Sequence, residues 1–101
     1  MPSQNTLPMT IQHQRSGHRG AFVIEREGKR LAELSYTVAG AIVILDHTDV
    51  DDELRGTGTG RKLVEEAVSW ARAEKQRLMP LCPFARSVFD KTPEYADVLV
   101  R

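Results

Sequence analysis

Asp49-Val50-Asp51-Asp52-Glu53-Leu54-Arg55-Gly56-Thr57-Gly58-Thr59-Gly60-Arg61 joins a strand-like run to an amphipathic helix pattern. Upstream, Ala41 to Val50 begins fully apolar at Ile42-Val43-Ile44-Leu45 and turns polar at Asp46-His47-Thr48-Asp49. Downstream, Leu63, Val64, Ala67, Val68 and Ala71 recur on one face, with Trp70 at its flank. Three glycines and two threonines fall where the helix should start. The first N–H groups of a helix have no intrahelical acceptor, and glycine lets a ligand approach the backbone closely. The helix dipole adds attraction for negative charge. The junction therefore reads either as an anion cradle or as a loop that only starts a helix. It lacks the GxxxxGK[ST] of a phosphate-binding P-loop. Gly56-Thr57-Gly58-Thr59-Gly60 is GxGxG, not the GxGxxG of a dinucleotide fold, and antiparallel strands precede it.

Working outward, Phe22 and Ile24 alternate with Val23 and Glu25. Glu27-Gly28-Lys29-Arg30 reads as a tight hairpin turn. Leu31 to Val38 is a second strand, Ala39-Gly40 a second turn, and Ala41 to Val50 a third strand. Together they predict an antiparallel meander. The helix spans Gly60 to Lys75, and Arg77 to Cys82 forms a strand after it. Strand, helix, strand in sequence implies a parallel crossover. Pro80 cannot donate to a ladder, so that strand belongs at an edge or splays from its neighbour. Pro83 opens a short helix, Phe84 to Asp90. Val98-Leu99-Val100 is a final strand or packed tail. Met1 to Gly20 reads as a flexible or partly ordered leader, or as a tail with a short strand, and residues 21–101 as one domain.

The chain has 101 residues, with Lys plus Arg equal to Asp plus Glu at 14 each. The balance gives no electrostatic case for nucleic acid. One cysteine, Cys82, excludes an internal disulfide. No run approaches the ~20 apolar residues of a membrane span. Met1 to Gln14 lacks the apolar core of a signal peptide. These features point to a cytoplasmic protein, a monomer or weak dimer. At this size only about 60–65% of the unfolded surface is buried, which favours an open groove over a deep pocket.

The loop also matches Arg/Gln-x-x-Gly-x-Gly/Ala through Arg55, Gly58 and Gly60. Further along stand His47-Thr48, Glu53-Leu54-Arg55-Gly56, Leu63-Val64…Ala67…Ala71-Arg72, Pro80-Leu81-Cys82-Pro83-Phe84 and Pro93-Glu94-Tyr95. From Phe22 to Leu99 this ordered set resembles the small, single-domain subfamily of the GCN5-related N-acetyltransferases. The resemblance implies an α/β fold: a mixed, mostly antiparallel sheet with a splayed parallel strand pair and a main helix after the pyrophosphate loop. It implies acetyl-CoA as acyl donor and an unidentified amine as acceptor. The pyrophosphate would lie on Arg55, Gly56, Thr57, Gly58, Thr59, Gly60 and Arg61, with Val50 and Phe84 also contacting CoA. Thr57 and Thr59 depart from the bulkier or amide-bearing residues common there. Larger members carry a helical pair between their first two strands as part of the acceptor site. Here only the turn near Gly28 stands in that place. A non-catalytic acetyl-CoA-binding or protein-interaction module is therefore the competing expectation.

The remaining candidates each have two readings. Cys82 is either a small buried hydrophobe or a thiol beside the thioester, relaying acetyl or lining the pantetheine channel. His47 is either a base for an ammonium or thiol, or a structural histidine. Regular alternation would put it on one face with Leu45 and Asp49. Tyr95 either packs on the sheet or protonates a leaving thiolate, and Glu53 caps or braces the loop. His13, His18, His47 and Cys82 have no compact metal-ligand spacing, so no metal is expected. Arg61 or Lys62 is the expected partner of the CoA 3′-phosphate.

Overall fold

The computed structural model describes residues 10–100. The expected leader falls outside these up to Met9, while Gln12–Ser16 form an edge strand, β1. β2 (Arg19–Arg26), β3 (Lys29–Ala39) and β4 (Ile42–Val50) continue the sheet, each antiparallel to the one before. Helix α1 (Thr59–Glu74) crosses to β5 (Arg77–Pro80), which pairs parallel with β4. Helix α2 (Pro83–Lys91) follows, then a 3-10 turn at Pro93–Val98. The strand order is β1-β2-β3-β4-β5. This is the mixed, mostly antiparallel sheet with one parallel pair that the sequence pattern predicts.

Tight turns set the meander. Glu27 and Gly28 have φ of 54° and 80°, the two left-handed residues of a hairpin whose twist matches its strands. Gly28 was the expected turn residue, and Glu27 shares the left-handed conformation with it. Gly17 (φ 63°) turns β1 into β2. The first connection of the sheet is thus at Gly17-His18, one hairpin earlier than the sequence suggested, and it too is a two-residue turn.

One face of the sheet holds the core. Phe22, Ile24, Leu34, Tyr36, Val43 and Leu45 meet Leu63, Val64, Ala67, Val68 and Ala71 of α1. Leu63, Val64 and Leu34 are wholly buried, each contributing about 1.5–3 kcal/mol relative to exposure. The helix ends on Lys75 in a left-handed conformation (φ 57°), with Gln76 N–H donating to the Ala71 carbonyl. Arg72, in the last turn, grips the Asp97 carboxylate with Nε at 3.0 Å and Nη2 at 2.9 Å, and donates to the Glu94 carbonyl. That pairing holds the Asp97 carboxyl below the usual carboxylate range. It also ties α1 to the final turn.

An aromatic group closes the sheet at its β1 end. His13 stacks on Phe22 at 4.3 Å, meets the Trp70 edge at 4.9 Å, and bonds Tyr36 Oη through Nε2 at 2.5 Å. Gly20 is required beneath this group, because a Cβ there would run into the Tyr36 hydroxyl. Burial, and secondarily Arg15, lower the His13 pKa from its ordinary 6.5, while Glu66 opposes them. A histidine held neutral in the fold binds fewer protons than in the unfolded chain. Its stabilisation is therefore full above about pH 6.5 and is lost as pH falls toward the lowered folded value. Thermal unfolding from pH 7.5 to 5 is expected to show this loss, and His13→Phe should flatten it; an unchanged slope in the variant would refute the assignment. Gly20→Ala is expected to cost about 1–3 kcal/mol in urea unfolding, since buried Tyr36 has nowhere to move.

Candidate functional site

The site begins where β5 stops. Arg77 to Pro80 pair with Ile42 to Leu45. The Leu45 carbonyl then accepts from both Leu81 N–H (3.1 Å) and Cys82 N–H (3.2 Å), and the chain turns away into α2. Asp46 to Val50 continue β4 past the end of β5. The gap between that half-strand, α2 and the loop before α1 is a cleft of about 550 Å³.

A bulge in β4 decides which side chains enter it. Tyr36 faces Leu45 and Ser35 faces His47, so Asp46 is an extra residue on β4. Alternation resumes one residue out of phase. Thr48 and Val50 lie opposite Leu34 and Ala32 on the helix-covered face, with Leu45. His47 and Asp49 lie opposite Ser35 and Glu33 on the helix-free face. The expected grouping of His47 with Leu45 is thus corrected, because the inserted Asp46 breaks the period of two. His47 is exposed, and its carbonyl is 3.4 Å from Ser35 Oγ.

Cys82 is buried at the start of α2, with Sγ 3.0 Å from Thr48 Oγ1. Since Thr48 and His47 point to opposite faces, the structure does not bring Cys82 and His47 together as a nucleophile–base pair. Tyr95 also lies apart from the cleft, edge-on to Phe89 at 5.7 Å with Arg72 over its ring. Burial, with the nearby Glu65 charge, raises its phenol above the ordinary value. Glu53 pairs with Arg26, and its N–H donates to Asp51 Oδ1, so it braces the loop against the β2–β3 hairpin.

The loop is built around left-handed glycines, Gly56 (φ 79°) and Gly58 (φ 80°). Gly58 precedes the first helical residue and offers no side-chain cap. Lys62 N–H closes the first turn onto the Gly58 carbonyl, which leaves Thr59, Gly60 and Arg61 N–H without intrahelical acceptors. A hydroxyl relay holds the turn: Thr57 Oγ1 donates to the Leu54 carbonyl at 2.5 Å and lies 2.6 Å from Thr59 Oγ1. The two threonines that depart from the family pattern therefore stiffen the loop. The Phe84 ring lies over Gly60, where a Cβ would approach Cζ to 2.8 Å.

Val50, Arg55, Gly56, Gly58, Thr59, Gly60, Arg61 and Phe84 all line the cleft. Thr57 lies behind it and supports Thr59. Arg55 Nε pairs with Asp52 at 2.8 Å, and Arg61 Nη2 donates to Thr92 Oγ1 at 2.8 Å, anchoring α1 to the end of α2. Lys62 does not reach the lining, whereas Lys91 and Ser87 do. These two were missed. Phe84, Ser87, Val88 and Lys91 follow helical spacing, and that period was the available signal. Orphan helix donors, a glycine approach and the cations Arg55, Arg61 and Lys91 suit an anionic ligand with an apolar stem. Among the described residues no cluster of three His, Cys, Asp or Glu side chains could hold a metal ion, and no helix is long and apolar enough to cross a membrane.

A glycine-rich loop at a helix start, beside two parallel strands that splay apart, is the arrangement that the resemblance implies. The family model described as GCN5-related N-acetyl-transferase matches residues 21–98. A GCN5-like putative N-acetyltransferase from Staphylococcus aureus shares 33% identity over 88% of this chain and 87% of its own, with a TM-score of 0.69. The chain belongs to the GCN5-related N-acetyltransferase family. The ribosomal-protein-S18-alanine N-acetyltransferase of Escherichia coli shares the fold at 18% identity and a TM-score of 0.64, over 76% of this chain and 53% of that one. An aminoglycoside N-acetyltransferase crystallised with CoA does so at 13% identity and 0.56, over 75% and 67%. No curated protein sequence matches the chain. Gly60→Ala is expected to cost at most about 1 kcal/mol in urea unfolding, because the half-exposed Phe84 ring can swing aside, in contrast to Gly20→Ala.

Proposed function

We propose that this protein is an acetyl-CoA-dependent N-acetyltransferase of the small, single-domain subfamily, acting on an amine in the cytoplasm. The carrying observation is the β4 half-strand beyond Leu45, which opens a cleft onto the unpaired N–H groups at the start of α1. In this reading Arg55 to Arg61 hold the pyrophosphate through main-chain donors. Val50 and Phe84 flank the apolar stem, and the main chain of β4 bonds the pantetheine amides. Lys91 joins Arg61 as a candidate for the remaining phosphate charge.

Acetyl-CoA supplies an activated acyl carbon. The amine nitrogen forms the C–N bond as the C–S bond breaks, and the CoA thiolate takes up a proton. The attacking amine must first be neutral. His47, exposed beside the bulge, is the proposed acceptor of the ammonium proton. Cys82 belongs to the other route, in which its thiol takes the acetyl group and passes it on. The opposite orientation of the two side chains favours direct transfer, with Thr48 holding the Cys82 thiol in the wall of the channel.

A non-catalytic acetyl-CoA-binding module is the second reading. The two-residue turn at Gly17-His18, where larger members carry a helical pair, favours it. Transfer to a panel of small amines and peptides, followed by product mass, separates the two readings. His47→Gln is expected to lower kcat by about 10²–10⁴-fold and remove a limb of the pH profile. Cys82→Ala should keep most activity, and an S-acetyl-Cys82 adduct forming at the turnover rate would reverse that order. Tight acetyl-CoA binding with neither CoA release nor self-acetylation would sink the enzyme reading. Gly58→Glu should abolish acetyl-CoA binding by calorimetry under either reading, through both the left-handed backbone and the added negative charge. Normal affinity in that variant would remove the loop from the site.

A further inference from the structure

The helix-free face of the sheet carries a second concavity, a groove of about 520 Å³ next to the β4 bulge. Its floor is small, formed by Ala21 and Ser35, which are register partners on β2 and β3. The two rims have opposite charge. Arg19, which follows the Gly17-His18 turn and shares the face of Ala21, forms one. Glu33 of β3 and Asp46 of β4 form the other. Glu33 already has Arg30 at 3.3 Å. Asp46 Oδ2 accepts from the Thr37 hydroxyl at 2.8 Å, which fixes its carboxylate without neutralising it. Arg15 is paired with Gly20, which faces Tyr36, so it belongs with His13 on the helix-covered face and Arg19 carries this rim.

The polarity has a direction. Asp46 is the bulge residue, one position beyond the Leu45 carbonyl at which β5 leaves the sheet, and His47 follows it on this face. The anionic end of the groove therefore adjoins the splay, and the cationic end lies at the β1–β2 hairpin. Arg19 and Asp46 are two strands apart, about 10 Å at normal strand spacing, a gap that a small molecule with side chains reaching in from both rims would close.

Resting on the acetyltransferase reading, we infer that the acceptor is an amino carboxylate: its ammonium lies against Asp46 near His47, and its carboxylate against Arg19. Arg19 then supplies the acceptor recognition, since no helical pair stands between β1 and β2. A simple monoamine satisfies one rim only. A polycation meets repulsion at the hairpin.

The test compares glycine, β-alanine, 4-aminobutyrate, 6-aminohexanoate and L-lysine with their methyl esters and with alkylamines of equal length. At least one free amino carboxylate is expected to exceed its ester by about tenfold or more in kcat/KM. Arg19→Gln should raise KM for the free acids more than for their esters and so remove that preference. Equal turnover of acids and esters, or equal losses for both classes in Arg19→Gln, would overturn the inference. Titration of the ¹⁵N-labelled protein with the same compounds reads the groove independently of turnover. Saturable shifts at Arg19 and Asp46 in the absence of any acetyl transfer would uphold the groove and reject the enzyme reading. No shifts there with any of the acids would reject the groove, even if acetyl transfer to other amines proceeds.

Discussion

The Leu45 carbonyl, bonded by both Leu81 N–H and Cys82 N–H, is the point on which the molecule's architecture turns. One acceptor ends the β4–β5 ladder, and everything functional lies on the consequences. Pro80 has no amide hydrogen, so the ladder could not continue through it on equal terms. The chain leaves, Pro83 starts α2, and five residues of β4 outrun their neighbour. The cleft is the absence of a strand where a strand would otherwise be. Its walls need no dedicated insertion, which is how about a hundred residues can hold both a core and a site.

The bulge at Asp46 works on the same strand from the other edge. An inserted residue turns alternate side chains over, so Thr48 faces Cys82 while His47 faces the open sheet. A single strand thus presents Thr48 to the cleft side and His47 to the open sheet. The core tolerates this because Leu45 and Val43 are already fixed against α1 before the insertion. Beyond it, Val50 returns to packing next to the core.

Much of this was legible in the residues. Apolar runs, Gly28 and Gly40 marked the meander, the 3.6-residue period marked α1, and Pro80 marked the splay. The glycine spacing and the ordered motifs pointed to the anion and the family. What escaped had physical reasons. β1 has a polar, wholly exposed pattern that no periodicity reveals, since it is held by ladder bonds and by His13. The bulge leaves no mark in composition, because Asp46 and His47 read equally well as a regular strand. Lys91 and Ser87 share a helical face with Phe84, but that face borders the cleft only because α2 packs beside α1, a contact that is not local in sequence.

The aromatic group at β1 carries one more property. Trp70 is the sole tryptophan of the chain, and its indole edge meets the His13 ring at 4.9 Å. A charged imidazolium quenches an indole's emission far better than a neutral imidazole does. The molecule therefore carries an intrinsic optical reporter at the seat of its edge strand. Fluorescence reads the docking of β1 directly, with no dye and no label.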